Sequence, residues 1–134
     1  MNGLLELKAI GNVGKDDAKL EFTKSGIPVA KFSLAVNNRW KTTDGEEKES
    51  TTWLEVQIYG ERGKALQPYI TSGITLYLAG RPTTSSWKNE SGEIKDKLIL
   101  TVGNGKNDFI FLGGGTKPNE IPIVVDDEQL FGDE

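Results

Sequence analysis

The sequence predicts an all-β domain, a small closed antiparallel barrel carrying one short helix. Three observations lead there. Short apolar-polar alternating segments follow one another along the chain. Glycine and other turn residues separate them. A single stretch has helical spacing, and it sits between the third and fourth strand regions.

The segments run in order. Leu4 to Ile10 is apolar and partly alternating, and Gly11-Asn12-Val13-Gly14 interrupts it as a strand bend or bulge. Ala18 to Thr23 resumes, and Lys24-Ser25-Gly26 makes a turn. From Val29 to Val36, Ala30, Phe32, Leu34 and Val36 share one parity. Thr42 to Thr51 is polar and charged, with Asp44-Gly45 at a hairpin-like tip. In Thr52 to Gly60 the pattern is clearest: Leu54, Val56 and Ile58 take the core parity, while Trp53, Glu55, Gln57 and Tyr59 take the other.

Glu61 to Ile70 holds Ala65, Leu66, Tyr69 and Ile70 on one helical face, and Pro68 keeps that helix short. Ile74 to Ala79 is a strand that continues through Arg81 toward Trp87, with Pro82 marking a bulge or an edge position. Asn89-Glu90-Ser91-Gly92 is a second hairpin tip, followed by strands at Lys97 to Val102 and Phe109 to Leu112. Phe22, Phe32, Phe109 and Phe111 are read as core or strand-packing residues, and Tyr77 as an interface or surface residue. The domain is placed at residues 1–112, with a flexible acidic tail at 113–134 that opens on Gly113-Gly114-Gly115.

Composition removes whole classes of chemistry. The chain has no cysteine and no histidine. Disulfides, thiolate zinc sites, cysteine nucleophiles and histidine bases are therefore unavailable, and a reducing compartment fits. No phosphate-loop lysine follows the glycines, and the many Ser and Thr have no histidine to act as base. The paired Asp16-Asp17 suits a turn better than a metal site, because adjacent carboxylates on a strand point to opposite sides. Charges interrupt the apolar start Met1 to Lys8, so it does not read as a signal peptide, and no stretch is long enough to span a membrane. The net charge is −4, but residues 1–112 carry 15 Lys plus Arg against 14 Asp plus Glu. Residues 113–134 carry one Lys against six carboxylates, so the acidity sits in the tail.

Two large aromatics on the outer parity of a half-buried strand need a partner. Flat nucleobases suit Trp53 and Tyr59, and so does a second sheet or a subunit. Trp40, in Arg39-Trp40-Lys41, and Trp87, followed by Lys88, lie at the roots of polar loops. Rings interleaved with cations suit a single nucleic-acid strand, the rings taking bases and the cations phosphates.

Several spaced motifs resemble the bacterial-type single-stranded-DNA-binding proteins. They are Gly11-Asn12-Val13-Gly14-Lys15-Asp16, the run from Ser25 through Pro28 and Phe32 to Asn37, Thr52 to Gly60, Tyr69 to Gly80, and Trp87 ahead of a charged hairpin. The resemblance covers about residues 3–112. It implies a five-stranded oligonucleotide-binding (OB) barrel, a homotetramer, and a non-enzymatic, cofactor-free protein that coats single-stranded DNA during replication, recombination and repair. It also implies a cytoplasmic, nucleoid-associated location. The stacking set it implies is Trp40, Trp53, Tyr59 and Trp87; the cations that best suit phosphate contacts beside them are Lys31, Arg39, Lys41, Arg81 and Lys88. The family often has Phe where this chain has Tyr59, which keeps the stacking face.

The rival readings are an OB-type protein-interaction subunit of a primosome-like complex with weak DNA binding, and an OB-type glycan binder. Departures from the family concern charge. Asn2, Glu6, Glu55 and Thr84-Ser85-Ser86 stand where the family often has cations. In the family the acidic tip ends in an apolar pair after a long linker. Here Asp126, Asp127, Glu128, Leu130 and Phe131 follow a short linker and precede Gly132-Asp133-Glu134. That segment suits docking of replication or repair proteins in a basic-rimmed apolar pocket, or simple solvation. With fewer cations to neutralise phosphates, binding of oligo-thymidine is expected to weaken less with salt than is usual in the family; a steep slope in titrations across several salt concentrations would contradict this charge map.

Overall fold

In the computed structural model, residues 2–114 are described. They form seven strands, β1 (Leu7–Val13), β2 (Lys19–Phe22), β3 (Pro28–Lys41), β4 (Glu47–Tyr59), β5 (Ile74–Lys88), β6 (Ile94–Val102) and β7 (Phe109–Gly114). One helix, α1 (Gly60–Leu66), and a 3-10 turn at Gln67–Tyr69 lie between β4 and β5. The fold is thus mostly β with one short helix.

Five strands pair in a closed circuit: β1 with β3, β3 with β4, β4 with β6, β6 with β5, and β5 back to β1. Four of these pairings are antiparallel; β4–β6 is parallel, where an all-antiparallel arrangement was expected. β2 adds to β3 and β7 to β5. Within the circuit, α1 follows the third strand and precedes the fourth.

The core obeys the period-2 pattern. Ala30, Phe32 and Leu34 on β3, Leu54, Val56 and Ile58 on β4, Leu76 and Leu78 on β5, and Leu100 and Val102 on β6 are buried together. Leu66 and Ile70 close one end of that cluster from α1 and the segment after it. Phe109 and Phe111 meet edge to face at 5.1 Å, opposite Leu78 and Leu76.

Several elements are longer than their alternation suggests. β3 and β4 pair without a break from Val29↔Tyr59 to Lys41↔Glu47, so the polar stretch 42–51 is largely the outer half of a hairpin. Its tip holds Gly45 at φ +85°, in the left-handed region where glycine is strain-free. β5 runs unbroken from Ile74 to Lys88. Pro82 faces Leu100 of β6 without a register shift and lies beyond the stretch paired with β1, so the edge alternative holds and no bulge is needed.

β1 is displaced from its expected place. It runs through Gly11-Asn12-Val13 instead of stopping there, and leaves Leu4 and Leu5 exposed ahead of it. Gly11 is needed because a Cβ there would overlap the carbonyl oxygen of Ala35. Phe22 is not core: it is 62% exposed at the end of β2. α1 ends at Leu66, and Pro68 is accommodated in the first turn of the 3-10 segment, where its missing N–H costs nothing. No helix among the described residues is long and apolar enough to cross a membrane.

Gly80 sits where β5 passes from β1 to β6, and a Cβ there would strike the carbonyl oxygen of Thr101. Gly80→Ala is expected to lower stability by about 1–3 kcal/mol in urea unfolding, because backbone atoms must move to admit the methyl. An unchanged midpoint would show that the two strands are not so tightly apposed.

Candidate nucleic-acid interface

The register that buries Leu54, Val56 and Ile58 turns Trp53, Glu55, Gln57 and Tyr59 outward. On β5 and β6 the same logic turns Arg81, Thr83, Ser85 and Trp87 outward beside Thr101, Ile99, Lys97 and Lys95. Parallel pairing of β4 with β6 sets Glu55 beside Ile99 and Gln57 beside Thr101, so the two rows form one continuous outer face. Trp53 is 57% exposed, and Tyr59 and Trp87 are each 46% exposed. Three of the four aromatics singled out in the sequence therefore share one face.

Trp40 does not join them. It is 46% exposed, but it shares β3 parity with Phe32 and Leu34 and so lies on the reverse side of the β3–β4 ribbon from Trp53. It lines a shallow concavity with Arg39, Lys41, Glu47, Lys48 and Glu49. Arg39 and Lys41 keep the outward parity. Lys88, one residue beyond Trp87, points to the reverse side of the β5–β6 hairpin.

A polar network runs between Tyr59 and Trp87. Lys97 Nζ donates to Glu55 Oε1 at 2.7 Å, and Gln57 Nε2 donates to Glu55 Oε2 at 2.6 Å. The Tyr59 hydroxyl donates to Gln57 Oε1 at 3.0 Å. Lys97 Nζ also lies 5.9 Å from the ring centre of Trp87, within cation–π range. Partial burial pushes the Glu55 carboxyl up, but the hydrogen bonds from Lys97 and Gln57, with the charges of Lys97 and Lys31, outweigh it and hold it below the ordinary value. At the other end Gly14 packs under Trp53, where a Cβ would come within 3.2 Å of the indole.

The expected phosphate contacts differ in their freedom. Lys31 is paired with Glu21 at 3.0 Å, and the hydrogen bond to Glu21 raises its ammonium pKa against opposing desolvation. Arg39 is paired with Glu49 at 3.3 Å. Arg81 is outward in the middle of β5, opposite Thr101. Lys97 and Lys95 were not singled out from sequence. The signal was present in the hairpin register, because a tip at Asn89 to Gly92 places Lys95 opposite Trp87 and Lys97 one outward step beyond. Arg62 of α1 donates Nη1 to the Gly103 carbonyl at 2.8 Å, tying the helix after Tyr59 to the loop after β6. Asp126, Asp127, Glu128, Leu130 and Phe131 lie outside the described residues. Among those described, no cluster of three or more carboxylates could hold a metal ion.

Comparison with known proteins adds the following. A family model described as "Single-strand binding protein family" matches residues 5–106. Curated relatives named single-stranded DNA-binding protein, from Wolinella succinogenes and Helicobacter hepaticus, are 28% and 29% identical over 93 residues. Those alignments cover 69% of this chain but 57% and 54% of the relatives, a little over half their length. A solved structure described as Plasmodium falciparum SSB in complex with ssDNA superposes with a TM-score of 0.68 at 28% identity, covering 84% of this chain and 97% of that one. A small single-stranded DNA-binding protein from Streptomyces coelicolor shares the fold, with a TM-score of 0.63 at 18% identity and coverage of 75% and 90%.

The Glu55 carboxyl is a stronger acid in the folded chain than its ordinary value of 4.5. Its ionised form therefore stabilises the fold at neutral pH, and that contribution is lost as pH falls through the folded pKa. The stability of wild type relative to Glu55→Gln is expected to be greatest near neutrality and to shrink below about pH 4.5, as read by urea unfolding at stepped pH. A difference independent of pH would mean the ion pair with Lys97 contributes nothing to folding.

Proposed function

The chain belongs to the single-strand binding protein family, and on that premise we propose that it binds single-stranded DNA without sequence preference by stacking bases on Trp53, Tyr59 and Trp87. The single observation behind this reading is the outward face that carries all three rings across β4, β6 and β5. Exposed indole and phenol faces gain most from a flat, partly apolar partner, and every base offers one. The structural relative whose description includes bound ssDNA supports the same choice.

In this reading the closed circuit of five strands is an OB-type barrel that serves as a rigid frame. Arg81, Lys97 and Lys95 lie outward beside the ring row, Lys97 and Lys95 in ion pairs with Glu55 and Glu93, and Arg39 and Lys41 lie on the outer half of the β3–β4 ribbon. Trp40 would meet a strand only where it crosses to the reverse side of that ribbon. The protein acts by coverage: it holds exposed strands open and shields them during replication, recombination and repair, without catalysing a reaction.

The chain also has a surface suited to self-association. Ile10 of β1, Tyr77 of β5 and Ile110 of β7 lie in register across three strands, with Ile10 57% and Ile110 38% exposed. An apolar row on an unpartnered sheet face fits a second copy of the chain, and the homotetramer implied by the resemblance would bury it.

Trp53→Ala and Trp87→Ala are each expected to weaken oligo-thymidine binding by about 1–3 kcal/mol while keeping the β circular-dichroism signal of the wild type. Trp40→Ala is expected to cost less on oligomers too short to reach around the ribbon. Unfolding of the first two variants, or unchanged affinity in intrinsic-fluorescence titrations, would overturn the stacking assignment.

A further inference from the structure

We infer that Glu55 is a built-in competitor of DNA phosphate: its carboxylate holds the Lys97 ammonium over the Trp87 ring, and a phosphate must displace it to gain Lys97. This rests on the ssDNA reading above and adds a specificity-determining residue to the same face. Both Glu55 oxygens are engaged, Oε1 by Lys97 at 2.7 Å and Oε2 by Gln57 at 2.6 Å. The side chain of Glu55 is 25% exposed and that of Lys97 is 43% exposed, so the pair sits in the face and not above it. Glu55 lies between Trp53 and Gln57 on the outward row of β4, and Lys97 is 5.9 Å from the Trp87 centroid.

Two consequences follow from this placement. A phosphate approaching the ring row gains Lys97 only by replacing one anion with another. While Lys97 stays on Glu55 it neutralises no phosphate and so releases no condensed counterion from the strand. A base stacking on the ring face that Lys97 covers must also move the ammonium aside. The pair therefore weakens binding and flattens its salt dependence, which makes the strand easier to release. Of the neighbouring cations, Lys31 is held by Glu21 and Lys95 by Glu93.

The test compares wild type, Glu55→Gln, Lys97→Gln and the double variant in fluorescence titrations with oligo-thymidine at stepped salt. Glutamine keeps the shape of Glu55 and an oxygen acceptor. Glu55→Gln is expected to bind about threefold or more tightly at low salt, and its logarithmic salt slope is expected to steepen by about 0.7, the value for one more phosphate neutralised on a single strand. Lys97→Gln is expected to cost little in wild type and to abolish the gain in the Glu55→Gln background. Glu61→Gln on α1, an equal change in net charge at a carboxylate that does not hold Lys97, is expected to leave the slope unchanged. Binding by wild type with no tightening in folded Glu55→Gln, or a gain that survives loss of Lys97 or is matched by Glu61→Gln, would overturn this inference alone. Absence of binding by both wild type and Glu55→Gln would overturn the ssDNA reading and this inference with it.

Discussion

The structure depends on β4 being gripped on both sides. β3 pairs with it in antiparallel register and β6 in parallel register, over the same residues 54 to 57. A slip of one residue on either side would exchange Leu54, Val56 and Ile58 with Trp53, Glu55, Gln57 and Tyr59. Burying three aliphatic side chains is worth roughly 1.5–3 kcal/mol each, whereas burying Glu55 unpaired would cost more than any of them gains. The register that makes the core is therefore the register that bares the rings. Fold and site are set by one alternation.

That constraint explains why rings can remain exposed without endangering the fold. Trp53 and Tyr59 sit on a strand whose opposite face, at Leu54, Val56 and Ile58, is engaged in the core, so that part of the outer surface can be specialised independently. The charge layout on that surface is unusual for a site that would meet a polyanion. Lys31, Arg39, Lys95 and Lys97 are each matched by a nearby carboxylate. In the proposed reading stacking would carry more of the interaction than Coulomb attraction does, consistent with a body that is close to charge-neutral.

Much of this was legible in the sequence where one face is buried. Val56 and its neighbours alternate cleanly because one side must be dry, and Trp53 and Tyr59 could be placed outward on that ground alone. The hairpin arms were not legible, because residues 37 to 51 project beyond the core and are polar on both faces, which erases the period. For the same reason the side taken by Trp40 was hidden: it follows from an unbroken register that only the pairing reveals. Gly11 looked like an interruption because glycine in a strand often is one, yet its role is to admit the Ala35 carbonyl, a partner distant in sequence. Lys97 escaped notice because its importance comes from Glu55 on another strand, and no local motif records that meeting.

Ultraviolet cross-linking of a single-stranded oligonucleotide to the full chain, with the attached residues located by mass spectrometry, tests the central claim most directly. Adducts concentrated at Trp53, Tyr59 and Trp87 are the predicted result. Adducts confined to the Ile10, Tyr77 and Ile110 face, with the three outward rings unmodified, would contradict it.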